Sequence, residues 1–537
     1  MQRFEEFFKE IEERSSAIRK NKSWLSFALT FLFLGVYFYL TLPSLSYQSP
    51  SFYSFLLLGL LIFTGLRLIF GPRMNIASFK RSFVLLVFLL IVPFIFSLIS
   101  SPIFRAQSYA KLLVPEKGVF EDEIEKIALS QVPIVDRETA GIIGAKQLGS
   151  LTDLVSQFEI DPQYSQIDLA GKPIRVSPLR YFDIIKYITN RKGGIGYYVS
   201  VDMTTQGGQI VKLDKPIFYS SGDYLMRNIH RKIRFQYPFS LLGETNFEID
   251  DKGDAYYVTP LLRKTIGFFG GLDATGAIIT DANTGKSTLY ELKDVPSWVD
   301  RVFPAELIVR QLDDYGLYKG GYFNSIFGQK NVTSTTEGYN YISIDQDIYL
   351  TTGVTSVRSD DSNLGFYYTN MRTKESKFYP LASATETAAM GSARGKVQEK
   401  EYRPTFPVIL NVSDRPVYFM SLKDDAKTAK MYALVDAQQF TNVYVADTVD
   451  ELFRAYNKYH LAAGVQQDME TVTIKEVREI ILEGSSVFYF TVKENDKIYE
   501  ITAAILGPEV LTLKEGSRLK ILASLRDNIY TVESLEQ

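Results

Sequence analysis

The chain carries two histidines, His230 and His460, so a Ser–His–Asp hydrolytic triad would have to use one of them. His230 lies in the basic run Arg227-Asn228-Ile229-His230-Arg231-Lys232, and His460 closes a tyrosine-bearing helical stretch. Neither stands beside a nucleophile-elbow sequence, and both read as surface or helix-end histidines. There is no cysteine, which removes thiol nucleophiles, disulfides, Cys-ligated zinc and iron–sulfur clusters together. Carboxylate chemistry needs only two Asp or Glu brought together in space. Glu306, Asp313 and Asp314 flank an expected helix near Trp298, in and after the unusual stretch 295–304, VPSWVDRVFP. The plain reading of that stretch is a Pro-bounded packing element, with Trp298 as a candidate binding residue. Ser359-Asp360-Asp361-Ser362-Asn363 offers oxygen donors for calcium but lacks EF-hand spacing, and reads as a polar hairpin turn. Gly270-Gly271 and Gly320-Gly321 lack the following Lys-Ser/Thr of a phosphate loop. No catalytic residue, metal ligand or cofactor is therefore expected.

The elements around these residues begin with a membrane segment. Residues 24–42 contain no charge, residues 52–70 only Arg67, and residues 83–104 no charge before the end, with Pro93 inside. Each is long enough for the roughly 20 apolar residues that cross a bilayer as a helix. Arg67 sits where it can snorkel, and a proline is tolerated among neighbouring helices. Basic residues Arg3, Lys9, Arg14, Arg19, Lys20 and Lys22 precede the first run. Arg73, Lys80 and Arg81 follow the second, while residues 43–51 are uncharged. Positive flanks stay inside, so the N-terminus is expected in the cytoplasm and everything after the third span outside. Residues 1–22 read as a cytoplasmic amphipathic helix. Thr64-Gly65 is a candidate small-residue packing face.

After residue 104 the chain turns polar and aromatic. Helices are expected over 121–129, 137–148 (N-capped by Asp136), 180–189, 300–312 and 449–459. The 180–189 helix would carry Tyr181, Ile184, Ile185 and Ile188 on one face. Between the helices one pattern recurs: a strand runs into Asp or Asn, a short polar turn follows, and a second strand leaves. The turn-opening residues are Asp202, Asp281, Asn370 and Asp436, spaced irregularly by about 65–90 residues, too unevenly for a fixed-period solenoid. Gly207 and Gly285 would supply positive φ in the first two turns. These four residues, with Trp298, are the candidate binding positions. The best copy, Ile279-Thr280-Asp281-Ala282-Asn283-Thr284-Gly285, resembles the hairpin of PepSY modules; the third and fourth copies lack the glycine. The layout is also similar to membrane-anchored proteins of Gram-positive bacteria. The resemblance implies interaction rather than chemistry, because PepSY modules are associated with binding and with restraining proteases.

Residues 467–537 show short alternating strands over 471–477, 487–493, 497–503, 510–513, 518–522 and 529–532, an expected small OB-like or SH3-like β-barrel. Its aromatic run Phe488-Tyr489-Phe490 lacks the basic surroundings of a nucleic-acid face. The net charge of −3 likewise gives no sign of a nucleic-acid partner.

The sequence thus reads as α+β in four parts: a cytoplasmic helix (1–22), three transmembrane helices (23–104), extracytoplasmic helix-plus-antiparallel-hairpin modules (105–466) and a barrel (467–537). The expected function is a non-enzymatic envelope protein, anchored in the lipid bilayer, whose modules bind a protein or cell-wall partner. Two alternatives stay open: an accessory subunit of a transport, channel or export complex, and an extracytoplasmic hydrolase using paired carboxylates.

Overall fold

The computed structural model describes residues 24–70, 76–124, 132–357, 359–412, 415–462, 470–482, 485–495, 497–502, 513–526 and 529–536. The expected helix over 1–22, the helix after residue 124 and the strand at 510–512 lie outside the described residues. Three N-terminal helices, Trp24–Thr41, Pro50–Phe70 and Lys80–Ile99, are long and apolar enough to cross a membrane. Gly59 gives the close approach between the first two, since a Cβ there would sit 3.0 Å from Leu34. Gly65, by contrast, faces open space, and Thr64 spends its hydroxyl on Leu60 O at 2.7 Å. The third span was expected to reach residue 104 but ends at Ile99; a new helix, Pro102–Tyr109, starts after Ser100-Ser101. Its proline fits a first helical turn and not the continuation of an old one.

The chain divides into two compact units, Met1–Gly118 with Val135–Ala382, and Val119–Ile134 with Ser383–Gln537. The first unit holds the spans and three modules of one design. Each module is a helix followed by five antiparallel strands. The helices are Arg137–Gly149, Ile229–Gln236 and Ala305–Tyr318. In each module the long third strand pairs with the second strand along its first half and the first strand along its last half; the fourth and fifth strands then complete the sheet. In the second module, Ala255–Ile266 takes Asn246–Ile249 and Leu241–Leu242 on one edge and Gly270–Asp281 on the other, with Ser287–Glu291 last. The recurring hairpin is thus the tip of a larger repeated unit, whose first strands are too short to stand out in sequence.

The helix Ala305–Tyr318 shows how a module closes. Pro304 precedes it, and Leu307, Ile308 and Leu312 drop into one core with Val258, Ala277, Leu350 and Tyr367 from the second and third sheets. Gly316 is required there, because a Cβ would lie 2.2 Å from Thr333 O on the first strand. This helix was expected to start at residue 300; residues 300–303 instead form a non-helical link that bends at Val302-Phe303, bonded through both backbone N–H groups to Met371 O. The helix expected over 180–189 is also displaced. Arg180 and Tyr181 finish the strand Lys172–Tyr181, and the helix is Ile184–Asn190, N-capped by Asp183. Its inward residue is Tyr187, and Ile184, Ile185 and Ile188 face outward.

The second module rests on the ends of the spans. Ser44 Oγ donates to Ser240 O at 2.9 Å, Leu45 N to Pro238 O at 2.8 Å, and Gln48 exchanges two 3.0 Å hydrogen bonds with the Lys264 backbone. Ser100, just past the third span, accepts from Phe268 N at 3.2 Å.

The second unit contains a fourth module of the same strand order, with helix Glu386–Lys396 and strands from Arg403–Pro404 to Val443–Ala446. Backbone carbonyls of Ile124 and Ile134 accept from Asn411 and Ser421, which seats these two residues on this sheet. The last five strands, Glu470–Leu482, Ser485–Val492, Ile498–Thr502, Arg518–Arg526 and Ile529–Glu536, form a hydrogen-bonded order that returns to its start. Phe488 and Phe490 point into its core, where Phe490 stacks on Tyr499 at 5.3 Å.

Candidate functional site

The four turn-opening residues do the same work in the same geometry. Asp202 Oδ1 accepts from Thr204 N and Thr205 N at 2.7 and 3.0 Å, and Asp281 Oδ1 from Asn283 N and Thr284 N at 2.8 and 2.9 Å. Asn370 Oδ1 accepts from Arg372 N and Thr373 N at 2.8 and 3.0 Å, and Asp436 Oδ1 from Gln438 N and Gln439 N at 2.9 and 2.8 Å. In every case Oδ1 is committed to the turn's own backbone. Within the first unit the Asp202 and Asp281 turns stand apart. The Asp202 turn opens the strand Gly208–Ile217, whereas Asn283 of the next turn bonds Pro216 O near that strand's other end. A strand of that length puts roughly 25–30 Å between them.

The positive φ falls on the fourth residue after the opener, and only one of the two expected glycines takes it. Gly285 has φ +69°, but in the first turn Gln206 has φ +61° and Gly207 does not. Lys374 holds φ +68° at the matching place in the third turn. Its ammonium reaches Asp273 at 2.7 Å, a mostly buried pair that anchors a side chain where glycine would be easier. The fourth turn is one residue longer, closing from Asp436 N to Asn442 O where the second closes from Asp281 N to Lys286 O.

Residues 295–304 join three modules through a buried polar junction. Asp300 N donates to Glu248 Oε2 at 3.0 Å, and Asp300 Oδ2 accepts from Asp168 N at 2.9 Å. Asp168 also accepts from Gly171 N and from the Ser343 hydroxyl. Arg301 donates to Tyr341 OH at 2.9 Å and lies over the same ring. Burial raises the Glu248 carboxyl, and burial together with the Glu248 charge raises Asp300. Arg175, within the field of Arg301 and Asp136, is pushed down to about 10, chiefly by burial. This is the paired-carboxylate arrangement that sequence could not locate; Asp300 was visible only as part of the unusual stretch, and Glu248 carried no signal. Its members are at most 2% exposed, so a polymer substrate does not reach them. Trp298 packs on Tyr256 at 4.9 Å, beside the shared core.

The other marked residues are occupied locally. Asp313 accepts from Thr335 N and Oγ1 at 2.7 and 3.0 Å, pinning helix to first strand. Asp314 is pushed up to about 6 by burial. His230 is the second residue of its helix and is exposed. Residues 359–363, expected as a turn, lie in the strand Ser359–Asn370. Among the described residues no group of three His, Cys, Asp or Glu is placed to hold a metal.

What remains open is a set of sheet edges. In the third module the last strand, Ser376–Ala384, is covered: the segment Glu116–Lys117 pairs with it in parallel, and Gly118 N donates to Phe378 O at 3.0 Å. In the second module the equivalent strand, Ser287–Glu291, ends its sheet and pairs only with Gly270–Asp281 among the described residues. Its Leu289 side chain is 50% exposed. An uncovered edge presents backbone N–H and C=O groups that an extended chain can match. No protein-family model matches the sequence, and no curated protein matches it.

Proposed function

We propose that this chain is a non-enzymatic, multi-pass membrane protein of the cell envelope, whose modules bind a protein or cell-wall partner outside the membrane. The N-terminus is then cytoplasmic, as the basic flanks of the first two spans support. The helix-then-strands order of all four modules supports their PepSY-like character, and the closed order of the last five strands supports an OB-like or SH3-like barrel. The single observation that carries the binding reading is the segment Glu116–Lys117 laid on the last strand of the third module. The chain already uses this edge to take up an extended segment, and Ser287–Glu291 is the same edge left uncovered among the described residues. An extended polypeptide is the ligand that such an edge fits best. The hydrolase alternative is disfavoured because the converging carboxylates are sealed and engaged by backbone N–H groups.

Photo-crosslinking in intact producing cells tests this reading. A benzophenone amino acid replaces Leu289, with Asp251 on an exposed turn as control. A discrete adduct at 289 and not at 251 is expected, its sensitivity to protease or to wall hydrolase naming the partner class. No adduct at 289, or the same adducts at both positions, overturns the reading.

An accessory-subunit reading is favoured by one observation. Gly35 and Gly65 have nothing within 4 Å of a built Cβ, which leaves two small-residue positions on the first two spans open to a partner helix.

A further inference from the structure

Several of the most exposed apolar side chains of the first unit are fastened, by short contacts, to the module-side ends of the spans. The hairpin tip at Gly267-Phe268-Phe269 is one. The Phe268 ring lies 4.8 Å from Phe96, and Phe269 lies 6.0 Å from Tyr53. Phe96 is three residues inside the end of its span, about 4.5 Å at helical rise, so the tip reaches the level of the bilayer. Phe268 nevertheless remains 52% exposed.

The same holds beside the first span. Phe235 packs on Phe38 at 5.1 Å, within the last turn of the span, and Phe239, in the turn that follows the helix Ile229–Gln236, is 71% exposed. Arg231 donates to Tyr39 O at 3.2 Å and to Leu225 O at 2.6 Å, so the Leu225-Met226 turn stands at that level too. Leu225 holds φ +54°, an uncommon conformation for an aliphatic residue, and its side chain points outward. Tyr187 OH donates to Tyr224 O at 3.3 Å, which brings the helix Ile184–Asn190 to the same place with Ile185 and Ile188 uncovered. Beside the third span, Tyr109 packs on Tyr318 and Tyr318 on Tyr322, leading to Phe323 and Phe327 at 69% and 74% exposure.

We infer that this rim is seated in the lipid interface of the adjoining leaflet, so that the modules are membrane-docked as well as tethered. Lipid is the occupant because the rim is continuous, through these contacts, with the ends of helices apolar enough to lie in lipid. The composition agrees. Residues 182–192 and 225–234 carry seven Lys or Arg and one Asp around the exposed Ile, Leu and Met side chains. Aromatic and aliphatic side chains at the acyl boundary, with cations toward phosphate, are the pattern of an interfacial surface. The inference requires only that the spans lie in a membrane, and holds for either sidedness.

The test uses the full chain, which has no native thiol. Single cysteines replace Ile185, Phe239 and Phe327, with Asp251 as control, and each variant is spin-labelled in nanodiscs of phosphatidylcholine and phosphatidylglycerol in equal parts. Collision with oxygen should exceed collision with a water-soluble nickel chelate several-fold at the three rim sites, and the order should reverse at 251. Because all three replaced side chains are exposed, loss of fold at one leaves the other two to decide. Chelate-dominated collision at the rim sites overturns the inference. So does dipolar broadening that disappears on dilution with unlabelled protein, which would assign the rim to a second copy of the chain.

Discussion

Lys374 Nζ lies 2.7 Å from Asp273 Oδ2, and the same lysine holds a left-handed backbone in the turn opened by Asn370. The pair joins the third module's turn to the fourth strand of the second. Removing one partner strands a mostly buried charge, so Lys374→Ala should destabilise the unit by about 2–4 kcal/mol. Lys374→Gly relieves the backbone but loses the pair, and should fall between wild type and Lys374→Ala. The double variant Asp273→Ala/Lys374→Ala should recover part of the loss. Denaturant titration of the detergent-solubilised chain measures all three together with Asp273→Ala; strict additivity of the two alanine variants would contradict the coupling.

Asp281 Oδ1 serves two backbone N–H groups. Asp281→Ala should cost about 1–2 kcal/mol, by analogy with lost caps. Asp281→Asn keeps the acceptor oxygen and should be nearly neutral, because Asn370 already does this work with an amide. Gly285→Ala should be worse than either: φ is +69° and the new Cβ would meet the Tyr219 ring at 2.5 Å. Thermal midpoints of the three variants give the order.

The buried Glu248 and Asp300 carboxyls are both held above the ordinary range, chiefly by burial. The folded chain therefore keeps protons that the unfolded chain has released. Stability falls as pH rises from the usual carboxylate range, about 4, through the raised native values, and levels off above them. The midpoint should be lower at about pH 8 than at about pH 5, and Glu248→Gln should narrow that difference. A Gln variant that keeps the full pH dependence would show that the proton sits elsewhere.

Much of the scaffold could be read from sequence, and the reasons differ by element. The spans stand out because lipid demands long uncharged runs. The four turns stand out because an Asx oxygen two residues before its donors leaves a fixed mark. The five-stranded modules do not, because Leu241–Leu242 and Arg403–Pro404 are two residues long and carry no alternation. The helix expected over 180–189 begins only at Ile184, because Arg180 and Tyr181 complete a strand whose pairing no local pattern announces, and Tyr187 is its buried residue. Glu248 and Asp300 meet only through folding, across 52 positions, so no local pattern announces them.

Gln48 exchanges two hydrogen bonds with the Lys264 backbone and so fastens the loop between the first two spans to the second module. Gln48→Ala removes both. Limited proteolysis near the Phe268 tip should accelerate in that variant, while a cut in the Asp251 turn should proceed unchanged. Equal rates at both places would show that the docking does not depend on Gln48.

The most direct test of the envelope reading is sidedness. Lys80, at the start of the third span, and Asp251, on an exposed turn of the second module, are replaced singly by cysteine in a chain that otherwise has none. Intact cells are then treated with a membrane-impermeant maleimide. Labelling at 251, with 80 labelled only after lysis, is the result this account predicts. Labelling at 80, with 251 labelled only after lysis, would place the modules in the cytoplasm and contradict it.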